Sequence, residues 1–223
     1  MELAKAMKER HSVRRYTDKP IEQGALKTLQ DEIDFCNKEG NLHIQLVKDE
    51  PKAFDCFMAH YGKFSGVKNY IVLIGKKCSN LDEKCGYYGE HLVLKAQQLG
   101  LNTCWVAMSY KKVPSAFKVD RGEKLTVVIA LGYGEKQGVP HNSKNPTEVS
   151  NSVMSSPDWF KKGVEAALLA PTAINQQKFS FIYNDGKVTA KAGLGFYTKV
   201  DLGIAKYHFD VGSNKSLFKG EMK

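Results

Sequence analysis

Arg10-His11-Ser12-Val13-Arg14 sets two guanidiniums four residues apart around a hydroxyl. Guanidinium forks match phosphate oxygens in pairs, so the grouping suits a phosphorylated small molecule. The same residues would also serve, with no ligand, as a basic helix end that complements the helix dipole. A second chemical signal is Ala170-Pro171-Thr172-Ala173-Ile174-Asn175-Gln176-Gln177, an amide-rich turn that interrupts an apolar helix and leads into a strand. Side-chain amides donate and accept together, which suits the edge of a heterocycle; a helix stop of the Asx type is the alternative.

Other signals are weaker. Gly132-Tyr-Gly134 follows a strand pattern and begins like GxGxxG, but Gln137 takes the third glycine's place and Pro140 and Pro146 oppose a following helix, so the dinucleotide fingerprint fails. His60, His91 and His141 read as surface or packing residues. Cys78 and Cys85 lack the spacing of a tetrahedral zinc site, and five cysteines cannot all pair, so neither a metal nor a disulfide framework is expected.

Positioning these groups requires alternating helices and strands. A first helix runs to about Glu9, and Asp18-Lys-Pro20 opens a second that Gly40 closes. Leu42, Ile44 and Leu46 alternate as a half-buried strand, and a short helix carries Phe54, Phe57 and Met58. Strands are predicted over 69–75, 103–107 and 125–131, with a helix over 87–99 between the first two. A long connector spans 132–150. Ser156-Pro157-Asp158 caps a helix reaching Leu169, Asp185-Gly186 joins a hairpin, and a last helix runs from Asp201 to about Val211 with Gly212 as its cap. Tyr61-Gly-Lys-Phe-Ser-Gly66 reads as a surface loop, with a mobile flap as the alternative.

The chain has 223 residues, 42% hydrophobic and 26% charged, the balance of a globular protein rather than a disordered or fibrous one. No apolar run approaches the ~18 residues of a membrane-spanning helix, and the charged N-terminus does not read as a signal peptide, so a cytoplasmic location is expected. Lys+Arg exceed Asp+Glu by 9. No element interleaves aromatics with clustered basic residues, which argues against nucleic acid and for local anion binding. The order Pro20, helix, strand, Asp49 recurs as Pro157, helix, strand, Asp185, which reads as a degenerate internal repeat dividing the chain into 1–150 and 151–223.

Arg10-x-Ser12-x-Arg14, the run Glu90-His-Leu-Val-Leu-Lys-Ala-Gln-Gln-Leu-Gly-Leu-Asn-Thr-Cys-Trp105-Val106, and Ala170-Pro-Thr-Ala-x-Asn-x-Gln177 together resemble the FMN-dependent nitroreductase family, over most of the chain. The resemblance implies an α+β fold with a mixed central sheet flanked by helices, here as two degenerate repeats in one chain. It also implies that Arg10, Ser12 and Arg14 hold the FMN phosphate and ribityl chain, His11 by position, with Lys144 as a second phosphate cation. Trp105, Val106 and Ala107 would offer backbone groups to the isoalloxazine. Pro171, Thr172, Ala173, Asn175 and Gln177 would line its polar edge or the ribityl chain.

One departure matters. In the family the Pro-small-small-x-Asn-x-Gln loop follows soon after the N-terminal motif and serves the partner subunit's flavin. Here Asn37-Lys-Glu-Gly-Asn41 stands in that place, and the loop comes after residue 170. One chain would then complete its own flavin site, favouring a monomer over a homodimer. The implied activity is hydride transfer from NAD(P)H to an electron-poor acceptor such as a nitroaromatic or quinone. The alternatives are an FMN-binding protein without turnover, as sensor or flavin store, and a flavin-fragmenting or dehalogenating relative.

Overall fold

The computed structural model describes residues 1–151 and 153–222. In chain order the elements are α1 (Leu3–Glu9), α2 (Gln23–Gly40), β1 (Gln45–Val47), α3 (Phe57–Tyr61), β2 (Asn69–Lys76), α4 (Leu81–Gln98), β3 (Asn102–Val106), β4 (Glu123–Gly132), α5 (Pro146–Val149), α6 (Asp158–Ala167), β5 (Phe179–Asn184), β6 (Lys187–Ala192) and α7 (Thr198–Ser213). They form two compact units that are discontinuous in sequence. A sheet unit contains Glu9–Cys78 and Leu92–Pro140, and a hairpin unit contains Met1–Lys8, Ser79–His91 and His141–Lys223. This division by packing crosses the contiguous 1–150 and 151–223 halves expected from the repeat. The order helix, strand, strand, helix recurs, but the first pair of strands belongs to a four-stranded sheet and the second stands alone.

The sheet unit is built on the order β1-β2-β4-β3, every ladder antiparallel. A mixed sheet was expected, and parallel pairing is confined to single bridges such as Ser12–Thr103 and Arg15–Ser65. β2 is buried from Tyr70 to Gly75, as its continuous apolar run predicts, and burial on both faces does not fix strand direction. A bulge between Leu73 and Ile74 leaves Thr126 as the extra residue of β4. Phe54, Phe64, Tyr70, Val72, Val128 and Ala130 share one core. β1 starts only at Gln45, after a left-handed Asn41, so Ile44 and Val47 are buried and Leu46 is not. Of the apolar residues assigned to the short helix, Phe54 is core, whereas Phe57 and Met58 are exposed.

In the hairpin unit β5 pairs with β6 across Asp185 and Gly186, both at positive φ, as the dipeptide predicts. Pro157 rather than Ser156 occupies the N-cap of α6. Gly212, expected as a cap, lies within α7, which ends at a left-handed Asn214. Gly212 is there for another reason: a Cβ on it would collide with Ala166 of α6. α4 and α7 approach just as closely, since a Cβ on Gly86 would strike the Val200 carbonyl oxygen and one on Gly203 the Glu83 carbonyl oxygen. Phe160, Phe181, Phe209 and Phe218 fill the interior, with Phe181 stacked on Phe209 at 4.6 Å.

Candidate functional site

In the sheet unit the Arg10–Arg14 motif is an extended segment fixed on three sides. Val13 N–H donates to the Thr103 carbonyl at 3.0 Å, laying the motif along the outer edge of β3. Ser65 N–H donates to Arg14 and Tyr16 N–H to Ser65, each at 3.0 Å. Thr17 N–H reaches Tyr133 at 2.8 Å and Glu135 N–H reaches Arg15 at 3.0 Å. Val13 and Tyr16 are buried between these strands as the segment's anchors.

The polar groups of the motif converge on Cys104. Burial raises its thiol pKa, while Arg14, a hydrogen bond from Ser12 and Arg10 all act to lower it. Two guanidiniums and a hydroxyl therefore make one electropositive spot beside β3. Arg10 is 4% exposed and Arg14 lies open, its guanidinium 5.9 Å from the Phe64 ring centroid. Trp105 and Val106 end β3 and Ala107 follows it. The Gly132-Tyr-Gly134 run has a structural task here: Gly134 N–H donates to Asn102 Oδ1 at 2.9 Å, and a Cβ on Gly134 would press on Val13. Gly138, at φ +77, likewise fits beneath His11 and Ser12. The candidate flap is fastened at its end, because Ser65 pairs with Arg14 and Tyr16 and a Cβ on Gly66 would collide with the Tyr16 carbonyl.

In the hairpin unit the structure brings Lys144 and the Pro171–Gln177 loop together. Gln177, 2% exposed, is their junction: its Oε1 accepts from Lys144 N–H at 2.9 Å, and its Nε2 donates to the Asn142 carbonyl at 2.8 Å and to Asn175 Oδ1 at 3.0 Å. Lys144 Nζ donates to the Gln177 carbonyl at 3.1 Å, and Thr172 Oγ1 accepts from Gln177 N–H at 3.1 Å. Ile174, Asn175 and Gln177 have φ of 48, 56 and 44, a left-handed cluster that is strained for a β-branched residue. Much of the loop's amide capacity is thus spent holding its own shape. His141, with Ser143, binds the Leu168 carbonyl beyond the end of α6, a packing role as expected.

Three residues have roles that the sequence does not assign. Asp201, in the first turn of α7, accepts from Ala173 N–H at 3.0 Å and from Gln176 Nε2 at 2.7 Å. Burial lifts its pKa to about 6 against these two donors. Glu90 and His208, fully buried, join at 2.8 Å while the other ring nitrogen of His208 faces the Ala166 carbonyl at 3.1 Å. A lone acid near a helix start and a histidine on an apolar face carry no signal of these partners in the sequence.

The family model described as "Putative TM nitroreductase" matches residues 2–213. The chain belongs to this family. No curated protein matches it. Among solved structures, a Thermotoga maritima nitroreductase of the same description is 24% identical, covering 95% of this chain and 83% of its own, with a TM-score of 0.66. A Desulfovibrio desulfuricans protein of like description, solved in complex with FMN, is 17% identical over 66% of this chain and 94% of its own, with a TM-score of 0.53. A nitroreductase family protein of Streptococcus pneumoniae is 13% identical over 66% and 98%, with a TM-score of 0.54. The α+β nitroreductase fold is therefore the fold of this chain. No helix among the described residues is long and apolar enough to cross a membrane, and no disulfide joins the five cysteines.

Proposed function

We propose that the nitroreductase is an FMN-dependent oxidoreductase that accepts hydride from NAD(P)H and passes it to an electron-poor acceptor such as a nitroaromatic or a quinone. The observation that carries the reading is the electropositive spot made by Arg10, Ser12 and Arg14 beside the end of β3. Its donor set suits a phosphate dianion: two guanidiniums supply charge and paired donors, and the Ser12 hydroxyl adds a third kind of contact. Bound FMN supplies the redox chemistry, storing the electron pair between donor and acceptor.

Arg10 and Arg14 would neutralise the phosphate, and the segment that bears them is held by five backbone hydrogen bonds, so little ordering entropy remains to be lost on binding. Trp105, Val106 and Ala107 would present main-chain groups to the ring system, and His11 stands beside the phosphate residues. Lys144, Pro171, Thr172, Ala173, Asn175 and Gln177 belong to the other compact unit and are assigned on resemblance, with their own variants as the test. A side-chain acid or base is not required of the chain. We favour a monomer, with a homodimer as the alternative that light scattering would reveal.

The test is direct. Purified protein is yellow or takes up added FMN, and NADH or NADPH bleaches it under nitrogen. Arg10→Ala weakens FMN by roughly one to two decades, the worth of one charged hydrogen bond, while riboflavin, which lacks the phosphate, is little affected. Protein that neither contains nor binds FMN overturns the proposal. Protein that binds FMN but resists bleaching by both nicotinamides is a flavin carrier or sensor instead.

A further inference from the structure

At the far end of the sheet from the motif, the sheet unit contains a cavity of about 650 Å³ whose walls include Lys77, Lys112, Lys118 and Lys124 against one acid, Glu123. We propose that this cavity is a second ligand site, for a small anion that carries an aromatic ring, such as a nucleoside monophosphate. It is distinct from the Arg10–Arg14 spot. Lys124 pairs with Gly75, whereas Trp105 pairs with Ile129, five residues further along β4 and roughly 17 Å at the rise of a strand.

Three features favour a bound ligand over a chance gathering of surface lysines. The volume lies within the range of small-molecule pockets, roughly 300–1,000 Å³. The walls are set in place: Gln45 grips the Lys118 backbone with both ends of its amide, donating to the carbonyl at 2.7 Å and accepting from the N–H at 3.0 Å, and Lys77 N–H holds the Gly122 carbonyl at 3.0 Å. Glu123 Oε2 takes His43 Nδ1 at 2.8 Å and Asp120 N–H at 2.7 Å, and Lys118 Nζ is paired with Asp120 at 2.8 Å, so the charge offered to an anion rests on Lys77, Lys112 and Lys124. Phe117 and Leu125 supply a partly buried apolar wall continuous with the core. A planar ring against Phe117 would shed water while its phosphate meets the ammonium groups as point charges.

The experiment is calorimetric titration of the full chain with AMP, adenosine and inorganic phosphate, repeated at low and high salt. AMP is expected to bind more tightly than either fragment and to weaken as salt rises. Lys77→Gln/Lys112→Gln, on exposed side chains, should weaken AMP roughly fivefold to tenfold with an unchanged melting temperature. Phe117→Leu should weaken AMP but not inorganic phosphate. Arg10→Ala/Arg14→Ala should leave AMP affinity unaltered. The proposal is overturned if AMP binds no better than phosphate, if the lysine variant binds it as well as wild type, or if the arginine variant loses it, which would place AMP in the flavin site.

Discussion

Gln177→Ala separates a residue that shapes the loop from one that only meets a ligand. Gln177 is 2% exposed and makes three side-chain hydrogen bonds, at 2.9, 2.8 and 3.0 Å. Truncation strands Lys144 N–H in a part-buried site, at a cost of about 1–3 kcal/mol. The Asn142 carbonyl keeps its bond from Asn175 Nδ2 at 2.9 Å, so losing the Gln177 donor there costs less. The whole loss comes to about 2–4 kcal/mol. Because φ at this position is 44, Gln177→Gly relieves a left-handed strain of about 1–2 kcal/mol, less the entropy of a glycine, and should prove milder than alanine by about 0.5–1 kcal/mol. Urea unfolding of flavin-free protein in a Trp105→Phe background reads the hairpin unit through Trp159, which packs on Phe160 and Tyr183. FMN titration of the same variants runs alongside. If Gln177→Ala unfolds within about 0.5 kcal/mol of its parent, the three bonds do not hold the loop and the reasoning fails.

Gly203→Ala should cost about 3 kcal/mol or more, since its Cβ meets main chain of α4 that no rotamer change can clear, whereas Gly24→Ala, facing open space in α2, should gain about 0.5–1 kcal/mol; equal melting points for the two would contradict this. Burial raises the Asp210 pKa to about 6 from 3.8, so its stabilising contribution is full below pH 3.8 and is lost as pH rises through 6. The deficit of Asp210→Asn relative to wild type should therefore shrink by about 3 kcal/mol between pH 4 and 7, and a deficit independent of pH refutes the shift. Ile174→Gly removes a β-branched side chain that is 94% exposed at φ 48, so it should raise unfolding free energy by about 0.5–1 kcal/mol, checked by the same urea titration.

Periodicity and punctuation revealed most of the scaffold. Asp185-Gly186 announces its hairpin because only a positive-φ pair makes so tight a turn, and the helix expected over 87–99 matches the C-terminal part of α4, which ends at Gln98, because its apolar spacing is long and regular. The start of α4 was missed by six residues, since Leu81 to Gly86 carry little apolar rhythm and owe their helix to close packing on α7. Gly212 was misread for a related reason: a glycine at the end of an apolar stretch looks alike whether it caps a helix or admits a neighbouring one. The strand directions were illegible because buried antiparallel and parallel strands share one composition. For the candidate site, residue types and spacing single out Arg10, Ser12 and Arg14, which the structure gathers around Cys104 beside β3. They were silent on Asp201 and Asn142, whose roles arise from partners in three dimensions.

The motif also finishes the sheet. Ser12 and Val13 lie along β3, which would otherwise offer a bare row of donors and acceptors at the sheet's margin. On the proposed function, flavin affinity and resistance to aggregation would therefore be inherited through the same few residues. A change at Val13 that touches no ligand atom would loosen the segment, scatter the arginines and leave an open template for a neighbouring molecule's strand. Cofactor loss and precipitation would then arrive together, and adding flavin would slow both, because whatever clamps the arginines also keeps the margin closed.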